Sequence, residues 1–208
     1  MCAMFKFDKR QRIDQGLKDI LVAKLNIENE ETFHLKNLYK LIYEWLNEEG
    51  FTDIYGDRII DGNPETFYLE RMLGTGSKEH RIRWRCLLTP KKSPYYRYYL
   101  KIDFTTLNMK SIEVMHQGYK MKTDRGDIIL DIEAWLQLDY MNEWDNTPFL
   151  KSKFIQNLFR NRIYKEQIEA HKVDYYKIVY RLHNVIKQYL KLKTLYEMPK
   201  PFHPEKGL

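Results

Sequence analysis

Asp127-Ile128-Ile129-Leu130-Asp131-Ile132-Glu133-Ala134-Trp135-Leu136-Gln137-Leu138-Asp139-Tyr140 alternates almost without interruption. Ile128, Leu130, Ile132, Ala134, Leu136 and Leu138 fall on one parity, with Asp127, Asp131, Glu133, Gln137 and Asp139 on the other. Successive side chains of an extended backbone point to opposite faces, so this pattern predicts a long strand with one face in a core and one in water.

The same period runs upstream. Ile82, Trp84, Cys86 and Leu88 oppose Arg81, Arg83 and Arg85, and Tyr98, Leu100, Ile102 and Phe104 oppose Lys101 and Asp103. The breaks are short: Gly74 to Ser77, Thr89 to Pro94, Gly118, and Asp124-Arg125-Gly126. A parallel return needs a crossover of about a dozen residues, so these breaks predict antiparallel hairpins and a sheet of five or six strands over 67–140.

Outside that region the period becomes helical. Ile13, Leu17, Ile20, Leu21 and Leu25 predict a helix over 10–25, within an N-terminal helical arm spanning 1–30. Leu35, Leu38, Leu41, Ile42, Trp45 and Leu46 predict a second helix inside a helix-and-loop segment, 31–66, with Gly50 as its left-handed cap and Phe51 returning to the core. Thr147-Pro148 reads as the start of a helical region over 147–193. An unbroken helix of about 45 residues would reach about 68 Å. The radius of gyration of a compact domain this size is about 17 Å, which predicts a break near 160–166. Tyr175, Val179, Leu182, Ile186 and Tyr189 give the last helix one apolar face. Pro199, Pro201 and Pro204 predict an extended tail over 194–208.

Together these elements predict one α+β domain of 208 residues: an antiparallel sheet of five to six strands with N-terminal helices and one or two long C-terminal helices packed on it. Hydrophobic residues at 43% and charged residues at 31% exclude a chain disordered by composition. No apolar run is long enough to span a bilayer, and Met1 to Asp8 has no apolar signal core, so a cytoplasmic location is expected. Cys2 and Cys86 suggest neither a disulfide framework nor a zinc site, and the six histidines show no metal-ligand spacing. No cofactor or metal is expected.

The net charge of +6 is unevenly placed, because residues 151–193 carry eleven Lys or Arg against three Asp or Glu. At about 100° per residue, Lys177, Arg181, Lys187 and Lys191 fall opposite the apolar stripe of the last helix, with Tyr176 and Tyr180 beside them. Cations that displace counterions and rings that stack on bases suit a phosphate backbone, so these six residues are the candidate anion-binding or nucleic-acid-binding set. A solvated outer face gives the same pattern.

Other clusters have plainer readings. Tyr95-Tyr96-Arg97-Tyr98-Tyr99 resembles a stacking platform, yet alternation sends Tyr96 and Tyr98 to the core side. Gly74-Thr75-Gly76-Ser77-Lys78 lacks phosphate-loop spacing and reads as a hairpin turn. Asp103, Asp131 and Glu133 lie on polar strand faces with Arg81, Arg83, Arg85 and Lys101, where cross-strand ion pairs account for them without catalysis.

Leu136-Gln137-Leu138-Asp139-Tyr140, Trp144 and Thr147-Pro148-Phe149-Leu150, leading into a basic helical end, resemble a group of archaeal proteins with no assigned activity, over roughly 33–193. The resemblance implies a cytoplasmic archaeal protein and carries over no site residue.

The expected function is a non-enzymatic binding module whose basic, Tyr-containing C-terminal helix contacts RNA or a ribonucleoprotein. The alternatives are a helix-grip-like binder of a small apolar ligand, a structural subunit with a protein partner, or a peripheral protein on an anionic membrane surface.

Overall fold

The alternation at 127–140 becomes the end of the innermost pair of strands in a six-stranded antiparallel sheet. The computed structural model describes residues 19–192, except 75, 91–92, 94, 117–118, 142–143, 145–146, 149 and 151. Strands β1 (Asp19–Asn29) and β2 (Thr32–Phe33) precede helix α1 (Leu35–Glu48). Strands β3 (Glu65–Met72), β4 (Lys78–Leu88), β5 (Tyr96–His116) and β6 (Tyr119–Leu138) follow as a meander. The chain closes with α2 (Lys153–Leu158), a π-helical turn at Phe159–Ile163, and α3 (Lys165–Tyr189). The sheet order is β1-β6-β5-β4-β3, and β2 continues the β1 edge along Asp124 and Arg125 of β6.

Several expectations are corrected. The segment predicted as the first helix is strand from Asp19 onward, while its beginning at residues 10–18 lies outside the described residues. A bulge between Leu21 and Ala23 is the reason. Ile20, Ala23, Leu25 and Ile27 all stand opposite inward residues of β6, and the bulge sets Ile20 and Ala23 three apart, which mimics a helical stripe. The 67–140 region therefore holds four strands, and β1 and β2 complete the six.

Asp124-Arg125-Gly126, expected as a turn, lies inside β6. Asn108 and Met109 of β5 together oppose Gly126, making a bulge with Asn108 at φ 52°. A Cβ on Gly126 would sit 2.8 Å from the Leu107 carbonyl oxygen and the Met109 Sδ. Glycine here marks a close backbone approach, not a chain reversal. The break expected at Gly118 lies outside the described residues.

Other signals read as expected. Gly50 has φ 78°, its N–H donates to Asn47 O (3.1 Å), and Phe51 N–H donates to Leu46 O (3.0 Å), closing α1 with paired C-terminal bonds. Gly76 (φ 77°) turns the β3–β4 hairpin, with Leu73 N–H bonded to Ser77 O (2.8 Å). The break in the C-terminal helices falls at the π-helical turn and Tyr164. Their start is later than Thr147-Pro148: Thr147 N–H closes a turn onto Trp144 O (3.3 Å), and Ser152 precedes the first helical residue. The tail over 194–208 lies outside the described residues.

One core joins all of this. Trp84, Leu100, Ile102, Leu130, Ile132 and Leu136 from the sheet bury against Leu38, Ile42 and Leu46 of α1 and Val179, Leu182 and Ile186 of α3. Burying aliphatic side chains of this size contributes about 1.5–3 kcal/mol each before entropy is counted. Trp84 meets Tyr39 edge-on at 4.6 Å and Phe104 at 5.2 Å. The opposite sheet face carries the ion pairs Arg85–Asp103 (2.6 Å), Lys101–Glu133 (3.4 Å) and Lys24–Glu133 (3.1 Å). Asp131 there accepts from the Asn26 amide (3.0 Å).

Candidate anion-binding surface

Packing of α3 follows its apolar stripe: Ile168, Tyr175, Val179, Leu182 and Ile186 turn inward. Arg181 binds Glu49 just past α1 (2.8 Å), and Tyr189 donates to His34 O (2.9 Å), so one flank of α3 faces α1. The other flank faces the β1 edge, where Lys165, Ile168 and Lys172 line a concavity shared with Ile20.

This packing divides the predicted set. At about 100° per residue, Lys165, Lys172, Tyr176, Tyr180 and Lys187 share an arc of about 80° on the β1 flank. Tyr176, 45% exposed, stacks on Tyr180 at 5.9 Å and 14°, and Tyr180 stacks on His183 at 5.7 Å and 28°. Lys177 and Arg181 lie further round the helix. Lys177 approaches Asp174 (3.7 Å), and Arg181 is held by Glu49. Lys191 has left the helix at φ 54° and donates its N–H to Gln188 O (3.2 Å). The structure thus keeps Tyr176, Tyr180 and Lys187 together and separates Lys177, Arg181 and Lys191 from them.

The concavity beside them went unnoticed in the sequence. It measures about 490 Å³ and is lined by Asn157, Arg160, Asn161, Lys165, Glu169 and Lys172, with apolar walls. Glu169 pairs with Lys172 (2.8 Å). Arg160 belongs to the π-helical turn and is only 7% exposed. Behind it the rings of Tyr95, Trp144, Phe159 and Tyr164 pack at 4.9–6.2 Å. Burial pushes the Tyr95 phenol above its ordinary range, and the nearby Arg160 guanidinium offsets part of this. The only advance signal was the excess of cations over 151–193.

A second concavity, about 520 Å³, opens at the start of α1, bounded by Tyr39, Tyr68, Lys78, His80, Met109 and Asp124. Asp124 accepts the Leu35 N–H (3.4 Å) in place of an N-cap side chain. Burial holds the His80 imidazole below its ordinary range, and its Nδ1 lies 2.8 Å from Thr106 Oγ1. The nearby phenols are occupied: Tyr39 donates to Glu65 (2.9 Å) and Tyr68 to Glu70 (3.2 Å). Burial also pushes the Tyr39 phenol well up, with the Glu65 carboxylate adding to this.

Three chemistries draw little from this geometry. Burial raises the Cys86 thiol far above the range in which a thiolate forms, which disarms it as a nucleophile. Among the described residues no three His, Cys, Asp or Glu side chains converge as a metal cage. The Tyr95–Tyr99 run is equally unsuited to base stacking, because Tyr96, Tyr98 and Tyr99 are buried. Among the described residues no helix is long and apolar enough to cross a membrane. No protein-family model matches the chain, and no curated protein matches it either.

Proposed function

We propose that this chain is a non-enzymatic binding module for an anionic partner, single-stranded RNA or a ribonucleoprotein first, with the β1 flank of α3 as its contact surface. The observation that carries this reading is the stack of exposed Tyr176 on half-buried Tyr180, on the same arc as Lys165, Lys172 and Lys187. A base stacked on an aromatic side chain contributes about 1–3 kcal/mol, and this needs no sequence preference. Each lysine reaching a phosphate releases a condensed counterion, which makes affinity fall as salt rises. The excess of eight positive charges over 151–193 supports the same reading through long-range attraction.

Electrophoretic shift of a short single-stranded RNA at two salt concentrations tests it. Wild type should bind at low salt and lose affinity steeply at high salt. Tyr176→Ala with Tyr180→Ala should weaken binding by about tenfold or more, the equivalent of one lost stack. Lys187→Glu should flatten the salt dependence. Lys177→Glu with Arg181→Glu should matter less, since both lie further round the helix and Glu49 already engages Arg181. No shift at low salt, or a shift indifferent to both tyrosines, would overturn the reading.

A further inference from the structure

Arg160 is a buried cation, only 7% exposed. A guanidinium stays charged at any physiological pH, and burying it without a partner is unfavourable. Its Nε and Nη1 have no hydrogen-bond partner among the described residues. The buried carboxylate of Asp139 accepts the Trp144 N–H (3.3 and 3.5 Å). Buried groups left unsatisfied concentrate where a ligand completes them. The backbone gives a second, independent signal, because the turn holding Arg160 is π-helical, a local irregularity found frequently at functional sites.

The surroundings define the ligand. Arg160, Lys165 and Lys172 face the concavity of about 490 Å³ against one acid, Glu169, and the amides of Asn157 and Asn161 add polar groups at its wall. Two positive charges remain uncompensated there. A carboxylate would neutralise one of them, whereas a phosphate monoester carries close to two negative charges and three acceptor oxygens. A planar guanidinium can bind two of those oxygens at once.

We propose that this concavity is a phosphate-monoester site, with Arg160 as its anchor and Lys165 and Lys172 closing over the phosphoryl group. The site stands without the RNA reading, since a phosphorylated small molecule and the 5′ end of an RNA present the same group.

Titration of the full chain with inorganic phosphate, followed by calorimetry at constant ionic strength, tests the site. Phosphate should bind, and its dissociation constant should rise at least tenfold in Arg160→Met and in Lys165→Gln but not in Lys177→Gln. Arg160→Met should melt no lower than wild type, because it removes a buried guanidinium with two unsatisfied nitrogens; a structural arginine would show the opposite. Should Arg160→Met fail to fold, Lys165→Gln and Lys172→Gln decide the matter. Absence of phosphate binding, or binding unchanged in these variants, overturns the proposal. A 5′-phosphorylated RNA binding tenfold tighter than its 5′-hydroxyl twin identifies a polymer end as the source. Equal binding of the two RNAs, with free phosphate still bound, identifies a small molecule. A 5′-hydroxyl RNA that binds while phosphate does not would sink this site and leave the RNA reading standing.

Discussion

Tyr175 shows what a single side chain contributes here. Its ring lies parallel to that of Tyr98 at 4.3 Å, and its hydroxyl, fully buried, has no hydrogen-bond partner among the described residues. Burial raises its phenol well above the ordinary range, so the hydroxyl stays protonated and unsatisfied. Leaving such a group buried costs about 1–3 kcal/mol, while removing it keeps the ring contacts. Tyr175→Phe should therefore be neutral or stabilise the fold by up to about 1 kcal/mol, read as a higher urea midpoint with unchanged slope. A loss above about 1 kcal/mol would reveal a partner for the hydroxyl. Tyr98 differs because its hydroxyl lies 2.9 Å from His171 Nδ1. The inward parity of Tyr96 and Tyr98 was legible in the sequence; the stacking on α3 was not, because it joins residues far apart in the chain.

At the scale of elements, the β5–β6 hairpin dominates the sheet with strands of 21 and 20 residues. Its bulge at Asn108 and Met109 lets strands this long bend, and Gly126 is the residue that makes room for it. Gly126→Ala should destabilise the protein by about 1–3 kcal/mol, the usual cost of overpacking, because backbone atoms of Leu107 and Met109 stand in the way together with the Met109 side chain. Thermal or urea unfolding measures this, and a change under about 0.5 kcal/mol would show that the bulge relaxes easily. A glycine between two alternating runs carries the same local signature whether it turns the chain or admits a bulge. Only the partner strand distinguishes the two.

For the whole molecule, one hydrophobic cluster joins β1, β4, β5 and β6 to α1 and α3. Neither the helices nor the sheet has a core of its own, so the described residues should unfold as one cooperative unit. Far-ultraviolet circular dichroism and tryptophan fluorescence should then give coincident urea transitions. Trp84 reports the shared core directly, since it is fully buried between Tyr39 and Phe104. Helicity lost at lower urea than the fluorescence change would mean that α2 and α3 dock as a separable layer.

Local pattern alone determined the α+β class, the antiparallel sheet, α1 with its glycine cap, the inward face of α3 and the break before it, because each depends on a period of 2 or 3.6 or on a nearby capping residue. The excess of positive charge near the C-terminus was equally a property of the sequence. The β1 strand and the interior position of Gly126 were decided by tertiary structure, since bulges are defined by what lies across the sheet. The division of the cations was decided there as well. Glu49 reaches Arg181 across 132 positions, and the concavity around Arg160 exists only where α3 meets Ile20 of β1 and Leu138 of β6. A helical wheel assigns residues to directions, but the neighbours packed against a helix decide which charges remain available to a ligand.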